Sequence, residues 1–563
     1  MISKRLLPVL VAALISTSVV AGEPDELLKL KNTTLNLIEA LVKEGILSQE
    51  RADELIAEAE RSATEQVRQE ERSRAEKAPG VVRVPYVPEF VRQEIKDEVK
   101  AELRQDVVED VMAQAKSERW GIPDALPDWT RRFSFSGDIR LRGEANFYDS
   151  NNPDFGTAFV DYNEVNDNGG FDGSFLNTTE DRYRARMRMR LGVKARVSND
   201  LTAGIRIASG NFRNPVSTNT TLGNDFGSYE LVLDQAYLKY VDQDSDQYPW
   251  LTLQGGRMPN PWFSTDLVWD TDLNFDGFAA TYRHNLSGSD SLLSLDERDH
   301  TLYLTVGAFP LDEVELSSRD KWLFAGQFGA DFQFDNQSSF RIGLAYYNYY
   351  NITGKASTQA QPDRYAFTAP GFVQKGNSMY DIGDPASPGT RFGLASDYDL
   401  VNLTAEYDIA RFAPVHVILT GDYVKNIGYD ENEIRDRLNG GAMAVNSTFF
   451  AGDPGDDQTD GWMAKLTVGW PDVSLRRSWQ MFLAYKYLER DAVLDAFTDS
   501  DFHLGGTNAE GWIVGATYGL LDDTYLQVRY LSADAIDEGP KVGGQPLAPL
   551  GIDVLQVDLG ARF

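Results

Sequence analysis

The chain contains no cysteine, so disulfides, thiolate metal sites and a cysteine nucleophile are all excluded. Histidine is almost as scarce. His284, His300, His416 and His503 lie far apart, which argues against a histidine-rich metal centre. Positive charge is the minority sign: 54 Lys and Arg face 86 Asp and Glu, for a net charge of −32 and a pI near 4.5. A protein that neutralises phosphates carries the opposite balance, so nucleic acid is not a partner. Long apolar runs are missing as well. Beyond residue 21 the sequence has no stretch of the roughly 18 apolar residues that a helical membrane span requires. What is plentiful is glycine, at 47 residues, and aromatic side chains, at 11%. Such a chain of 563 residues is either a soluble β protein or an outer-membrane barrel.

Residues 1–21 read as a signal peptide. Met1 to Arg5 is short and basic, Leu6 to Val20 is apolar, and Val19-Val20-Ala21 offers small residues for cleavage. The apolar core is too short for a membrane anchor, and the missing cysteine excludes a lipid-anchored N-terminus. Export is therefore expected, and removing Lys4 and Arg5 makes the mature chain more acidic still.

Residues 22–80 read as a helical hairpin or coiled coil. Leu27, Leu30, Leu35, Ile38 and Leu41 share a face, Gly45 breaks the helix, and Ser48 can cap the next one. Residues 81–131 read as a proline-stiffened linker and an amphipathic helix. There Ile95, Val99, Leu103, Val107 and Val111 form a narrow apolar stripe between charged faces. A multi-stranded coiled coil or a neighbouring domain could cover that stripe; oligomerisation is the preferred reading. Its four-residue spacing departs from a strict heptad, so the strand number stays open.

From residue 132 to 563 the period changes to two. Arg182, Arg184, Arg186, Arg188, Arg190, Lys194 and Arg196 occupy even positions, and apolar residues from Tyr183 to Val197 occupy the odd ones. Alternate side chains of a strand face opposite ways, so one face is apolar and the other is a ladder of cations. Arg140 and Arg142 extend the same pattern in an earlier strand. Leu555, Val557, Leu559, Ala561 and Phe563 alternate with polar residues and glycine to the last position. A terminal Phe563 resembles the C-terminal signal of outer-membrane barrels, which their assembly machinery recognises.

Counting similar stretches gives about 16 strands. Short connections such as Ser198–Asp200 and Leu521–Asp523 alternate with long polar ones such as 150–181, 352–397 and 427–460. Short turns on one rim and long loops on the other suit a transmembrane antiparallel barrel. Lipid supplies no hydrogen bonds, so such a sheet must close, and about 16 strands leave an aqueous lumen.

The Arg ladder would line one sector of that lumen. Residues 257–272 form the third long connection and resemble the inward-folded third loop of a general porin; the narrowing is placed at about 260–276. Asp266, Asp270 and Asp272 facing the ladder would set a transverse field favouring polar or charged solutes. The alternative is that these acids only keep an exposed loop soluble. The acidity of the mature chain tilts the expected ion preference toward cations, against the pull of the ladder. Asn166–Gly173 and Asp453–Asp457 lack the ligand spacing of calcium loops, so neither a metal nor another cofactor is expected. Loop acids could still hold divalent cations that bridge lipopolysaccharide. No G-x-S-x-G and no convincing Ser–His pair occurs, so no enzyme is expected.

With these residues in view, the chain resembles the bacterial "putative porin" family along nearly its whole mature length. The resemblance is carried by Val84–Pro88, Phe133–Arg142, Gly256–Asp272 and Phe563. It implies an outer-membrane barrel with periplasmic N-terminal helices, passive diffusion of ions and small hydrophilic solutes, and homotrimers. The rival readings are a substrate-selective uptake channel and an adhesive or structural envelope protein anchored by the barrel. Deleting residues 24–120 is expected to leave a barrel that folds but assembles less stably. Oligomer bands on unheated gels test this, and an unchanged oligomer would refute the coiled-coil assignment.

Overall fold

The computed structural model describes residues 130–563, apart from 157–158, 171–172, 246, 287–299, 316, 335–336, 385, 387–388, 441–456, 538 and 543–544. The expected signal peptide and the helical segments before residue 130 lie outside the described residues. The chain divides into two units, Met1–Trp120 and Gly121–Phe563, and the second holds the whole β region.

Sixteen long strands follow one another in this unit. They are β1 (Phe133–Tyr148), β2 (Arg182–Arg196), β3 (Leu201–Ser209), β4 (Leu231–Gln243), β5 (Pro249–Pro259) and β6 (Asn274–Asn285). Next come β7 (Thr301–Asp312), β8 (Lys321–Gln333), β9 (Ser339–Tyr350), β10 (Asp399–Phe412) and β11 (Val415–Asn426). The last five are β12 (Asp460–Gly469), β13 (Trp479–Leu488), β14 (Ala509–Leu521), β15 (Thr524–Asp534) and β16 (Gly551–Arg562). The two-residue strand Thr220–Thr221 joins the same sheet, beside β2. Two short helices are present among the described residues, α1 (Tyr162–Asn168) and α2 (Glu431–Gly440), both in long loops.

Each long strand pairs antiparallel with the next. The last returns to the first, with Asp138 opposite Arg562 and Tyr148 opposite Ile552. The sheet is therefore a closed antiparallel barrel of sixteen long strands. At the seam Gly137 N–H donates to the Phe563 carbonyl at 2.7 Å, and Phe563 N–H donates back at 3.0 Å. A Cβ on Gly137 would sit 2.7 Å from the Phe563 ring, so the close approach of the terminal aromatic requires glycine there.

Period-two alternation becomes an inside and an outside. Phe135, Tyr183, Ile205, Phe278 and Leu344 are exposed on the outer wall. Their sequence neighbours point inward, where Arg142, Glu144, Thr305, Gln327, Thr404 and Asp558 are buried. An apolar outside and a polar inside are the inverse of a soluble barrel and match a wall in contact with lipid.

The lumen is not left empty. Trp262, Leu267, Val268 and Trp269 from the β5–β6 connection pack on Phe309, Leu323, Tyr347, Leu400 and Val424 of the inner wall. Met379, Leu394 and Tyr398 from the β9–β10 connection and Val493 and Leu494 from the β13–β14 connection join the same cluster. Strand counting alone could not foresee this filling, because it depends on where the loops turn.

Two strained glycines sit in the strands that carry the β5–β6 connection. Gly256 and Gly277 face each other across the pair, at φ 108° and 141°. A Cβ at either would collide with the carbonyl oxygen of Ala236 or of Ala308 on the adjoining strand. Gly277→Ala is therefore expected to cost about 1–3 kcal/mol. The check is the temperature at which the folded band is lost on gels, which should fall; an unchanged transition would refute the strain.

Candidate functional site

β1 and β2 bring the cations of the ladder side by side. Arg140 stands opposite Arg188 and Arg142 opposite Arg186, while Asp138 faces Arg190 and Glu144 faces Arg184. On the other side of β1, Asp558 of β16 faces Arg142. Like charges opposite each other repel, so this wall is stable only because carboxylates are interleaved with it. Arg142 makes a bidentate pair with Asp558, at 2.7 and 2.9 Å, and reaches Asp501 at 3.0 Å. Glu144 takes Arg184 and Arg186, the latter at 3.2 Å. Asp138 takes Arg188 at 2.8 Å and Arg190 at 2.7 Å. Arg140 donates to the Asn219 side chain at 2.6 Å and lies 3.7 Å from Asp558. Arg182, Lys194 and Arg196 continue the row at its two ends, exposed.

The connection 260–273 crosses this interior and is held at several points. Gln327 of β8 clamps Phe263 by accepting from its N–H at 2.8 Å and donating to its carbonyl at 2.7 Å. Arg341 of β9 stacks over the Phe263 ring, 4.2 Å from its centroid. Thr265 donates to Asp422 of β11 through both its N–H, at 3.2 Å, and its hydroxyl, at 2.5 Å. Trp269 meets Tyr347 edge to face at 5.2 Å. The loop thus leaves the wall between β5 and β6 and reaches strands β8 to β13 before returning.

The three acids of this loop have separate fates. Asp272 lies 3.4 Å from Arg190 and 3.6 Å from Arg188, and it accepts from Thr218 N–H at 3.1 Å. Burial opposes its ionisation, but Arg188 and Arg190 outweigh it and hold the carboxyl below its usual range. Asp266 does not face the ladder. It pairs with Lys486 of β13 at 3.0 Å, and the same lysine lies 3.0 Å from Asp499. Asp270 does not face it either: it accepts from Ser500 N–H at 2.9 Å and Asp272 N–H at 2.7 Å. Burial, with Asp499 and Asp272 nearby, pushes its carboxyl well above the usual range. One of the three acids meets the ladder; the other two tie the loop to residues 489–508.

Those residues supply partners that the sequence did not reveal. Asp501 bonds Arg142 of β1, Arg529 of β15 and, at 3.0 Å, Gln556 of β16. Burial opposes its charge, but Arg142 and Arg529 hold its carboxyl well below the ordinary range. Lys375, buried in the β9–β10 connection, donates to the carbonyls of His503 and, at 2.5 Å, Gly505. Desolvation pushes its amine down to about 7. Asn377 donates to the carbonyls of Arg490 and Val493 at 2.7 and 2.8 Å, joining the two loops. Residues 489–508 carry no period-two pattern, and Arg529 is a single cation in an apolar strand, so neither could be singled out. Asp138 and Glu144 were legible as inward positions, but their partners were not. Among the described residues, no group of three or more His, Cys, Asp or Glu residues is arranged to hold a metal ion.

A family model described as "Putative porin" matches residues 31–563. A search of curated proteins finds no match. Among solved structures, OprB of Pseudomonas putida is similar at 11% identity and TM-score 0.39, over 77% of this chain and 95% of that one. OmpT, an outer membrane protein of Vibrio cholerae, in its trimer form, is similar at 9% identity and TM-score 0.36, over 77% and 99%. OmpF of Salmonella typhi, in a complex with daunomycin, is similar at 10% identity and TM-score 0.37, over 77% and 97%.

Lys486 is the cation on which the far anchor of the loop depends. Replacing it, as Lys486→Met, leaves the half-buried Asp266 and Asp499 facing each other without a cation, at a cost of about 1–3 kcal/mol. Urea unfolding of the folded barrel should show the loss, and a midpoint equal to wild type would refute it.

Proposed function

Because the chain belongs to the "Putative porin" family, we propose that it is an outer-membrane diffusion channel for ions and small hydrophilic solutes, narrowed by its own loop 260–273. The single observation that carries the narrowing is the course of that loop. A connection of this length could have stayed at the rim, yet it is anchored at Gln327, Asp422, Lys486 and the pair Arg188 and Arg190. Anchors on opposite walls make a bar across the barrel, and a bar reduces the free cross-section.

The same loop fixes the chemistry at the narrow point. The guanidinium groups of β1 and β2 stand there, with the Asp272 carboxylate of the loop paired to Arg188 and Arg190 among them. Solutes passing between them shed part of their hydration and exchange it for these fixed groups, which favours polar solutes over apolar ones. A lumen lined this way needs neither a bound cofactor nor a reaction step, and passive diffusion follows from the gradient alone. The reading includes homotrimeric assembly, contact of the outer wall with lipopolysaccharide, and handling by the barrel assembly machinery. Phe563 supports the last, being 66% exposed at the seam where β16 meets β1.

Single-channel current from the purified mature protein in a planar bilayer tests the channel directly. Steps of stable conductance are expected, in groups of three for a trimer. Removing residues 263–271 should raise the unit conductance by about twofold or more. A folded, inserted protein that passes no current would overturn the channel in favour of an anchoring role. An unaltered conductance in the loop deletion would remove the narrowing while leaving the channel.

A further inference from the structure

Resting on the channel reading, we propose that β1 and β2, with the adjoining β15 and β16, form a continuous binding track for small anions bearing carboxylate or phosphate groups, so that the pore prefers anions although the chain is strongly acidic. The first observation is continuity. Every even position of β2 from Arg182 to Arg196 except Gly192 carries a cation, and the strand runs the full height of the wall. At about 3.3 Å per residue, successive charges on one face stand about 7 Å apart. An anion leaving one guanidinium therefore reaches the next before it is fully rehydrated. Several weak sites in a row permit both entry and release, which a single tight site does not.

The second observation is incomplete neutralisation. Seven guanidinium groups meet in this sector, those of Arg140, Arg142, Arg184, Arg186, Arg188, Arg190 and Arg529. Five carboxylates serve them, from Asp138, Glu144, Asp272, Asp501 and Asp558. Two opposed pairs, Arg140 with Arg188 and Arg142 with Arg186, place cation opposite cation across β1 and β2, with the carboxylates beside them. The surplus is positive, and its long-range sign at the wall is opposite to that of the whole molecule. Salt screens charges beyond about 8 Å, so the groups nearest the track weigh more than the net charge of the chain.

The third observation is access. The side chains of Arg140, Arg184, Arg186 and Arg190 keep 11%, 16%, 14% and 21% of their surface open. Open guanidinium edges match the two oxygens of a carboxylate or phosphate in a planar, charge-assisted contact. Arg142, sealed by Asp558 and Asp501, serves as the scaffold of the track and not as a binding group.

The test is the reversal potential of the mature protein in a potassium chloride gradient, with inorganic phosphate added as a blocker. A chloride-selective potential, and current reduced by millimolar phosphate, are expected. The double variant Arg140→Gln with Arg186→Gln should lower the chloride-to-potassium permeability ratio by about threefold. Both positions are partly open and leave Asp558 and Glu144 their other partners, Arg142 and Arg184. Current that favours potassium in the wild type would overturn the anion track and leave the channel intact. A protein that passes no current would instead overturn the channel, and equilibrium binding of radiolabelled phosphate in detergent would then decide the track. Saturable binding that the double variant weakens supports it; no binding refutes it.

Discussion

A strand in a bilayer has no water to satisfy its peptide groups, so each N–H and C=O must find a partner within the sheet. Everything else in this molecule depends on that pairing being complete. It demands that β16 return to β1, and the return brings Phe563 against Gly137 at the seam. It separates an outside, where Phe135 and Phe278 face lipid, from an inside in which polar groups can be gathered. A closed wall also leaves the loops as the only segments free to change the shape of the lumen.

Gathering charges inside has its own cost, because a buried ion without a partner destabilises by several kcal/mol. The wall therefore interleaves signs. Glu144 and Asp138 sit on β1 beside the cations of β2, and Asp558 completes Arg142 from the other flank. Where the strands run out of carboxylates the loops provide them, Asp272 for Arg188 and Arg190 and Asp501 for Arg142 and Arg529. The same contacts that neutralise the wall hold the loops inward. The inward course of the loops and the charge balance are in this sense one feature, and a change to either moves the other.

The functional reading follows from this coupling. The acids of residues 260–273 serve three purposes: Asp272 meets the ladder, Asp266 anchors the loop on Lys486, and Asp270 accepts backbone N–H groups from its neighbours. A field drawn from all three acids would overstate the negative charge at the narrow point. The proposed anion track rests on the cations of the wall, against the net charge of the chain. Bulk charge is a property of the whole surface, whereas a permeating ion feels the groups within a Debye length.

Local rules were enough for the strands. Alternation of apolar and polar residues is a property of neighbours in sequence, so the ladder of β2, the short turns, the long loops and the closing Phe563 could all be read without coordinates. The ladder from Arg182 to Arg196 coincides with β2, and the count of about 16 strands with the sixteen long strands. The partners of the ladder were not legible, because Arg142 and Asp501 are separated by 359 positions and meet only when the barrel has closed. For the same reason the loop acids could be singled out but not assigned. Which wall each acid reaches depends on the contacts of Trp262 and Trp269 inside the lumen. Periodicity determined which residues face inward; only the closed tertiary structure decided which of them touch, because contact across a lumen depends on distance in space and leaves no mark on spacing along the chain.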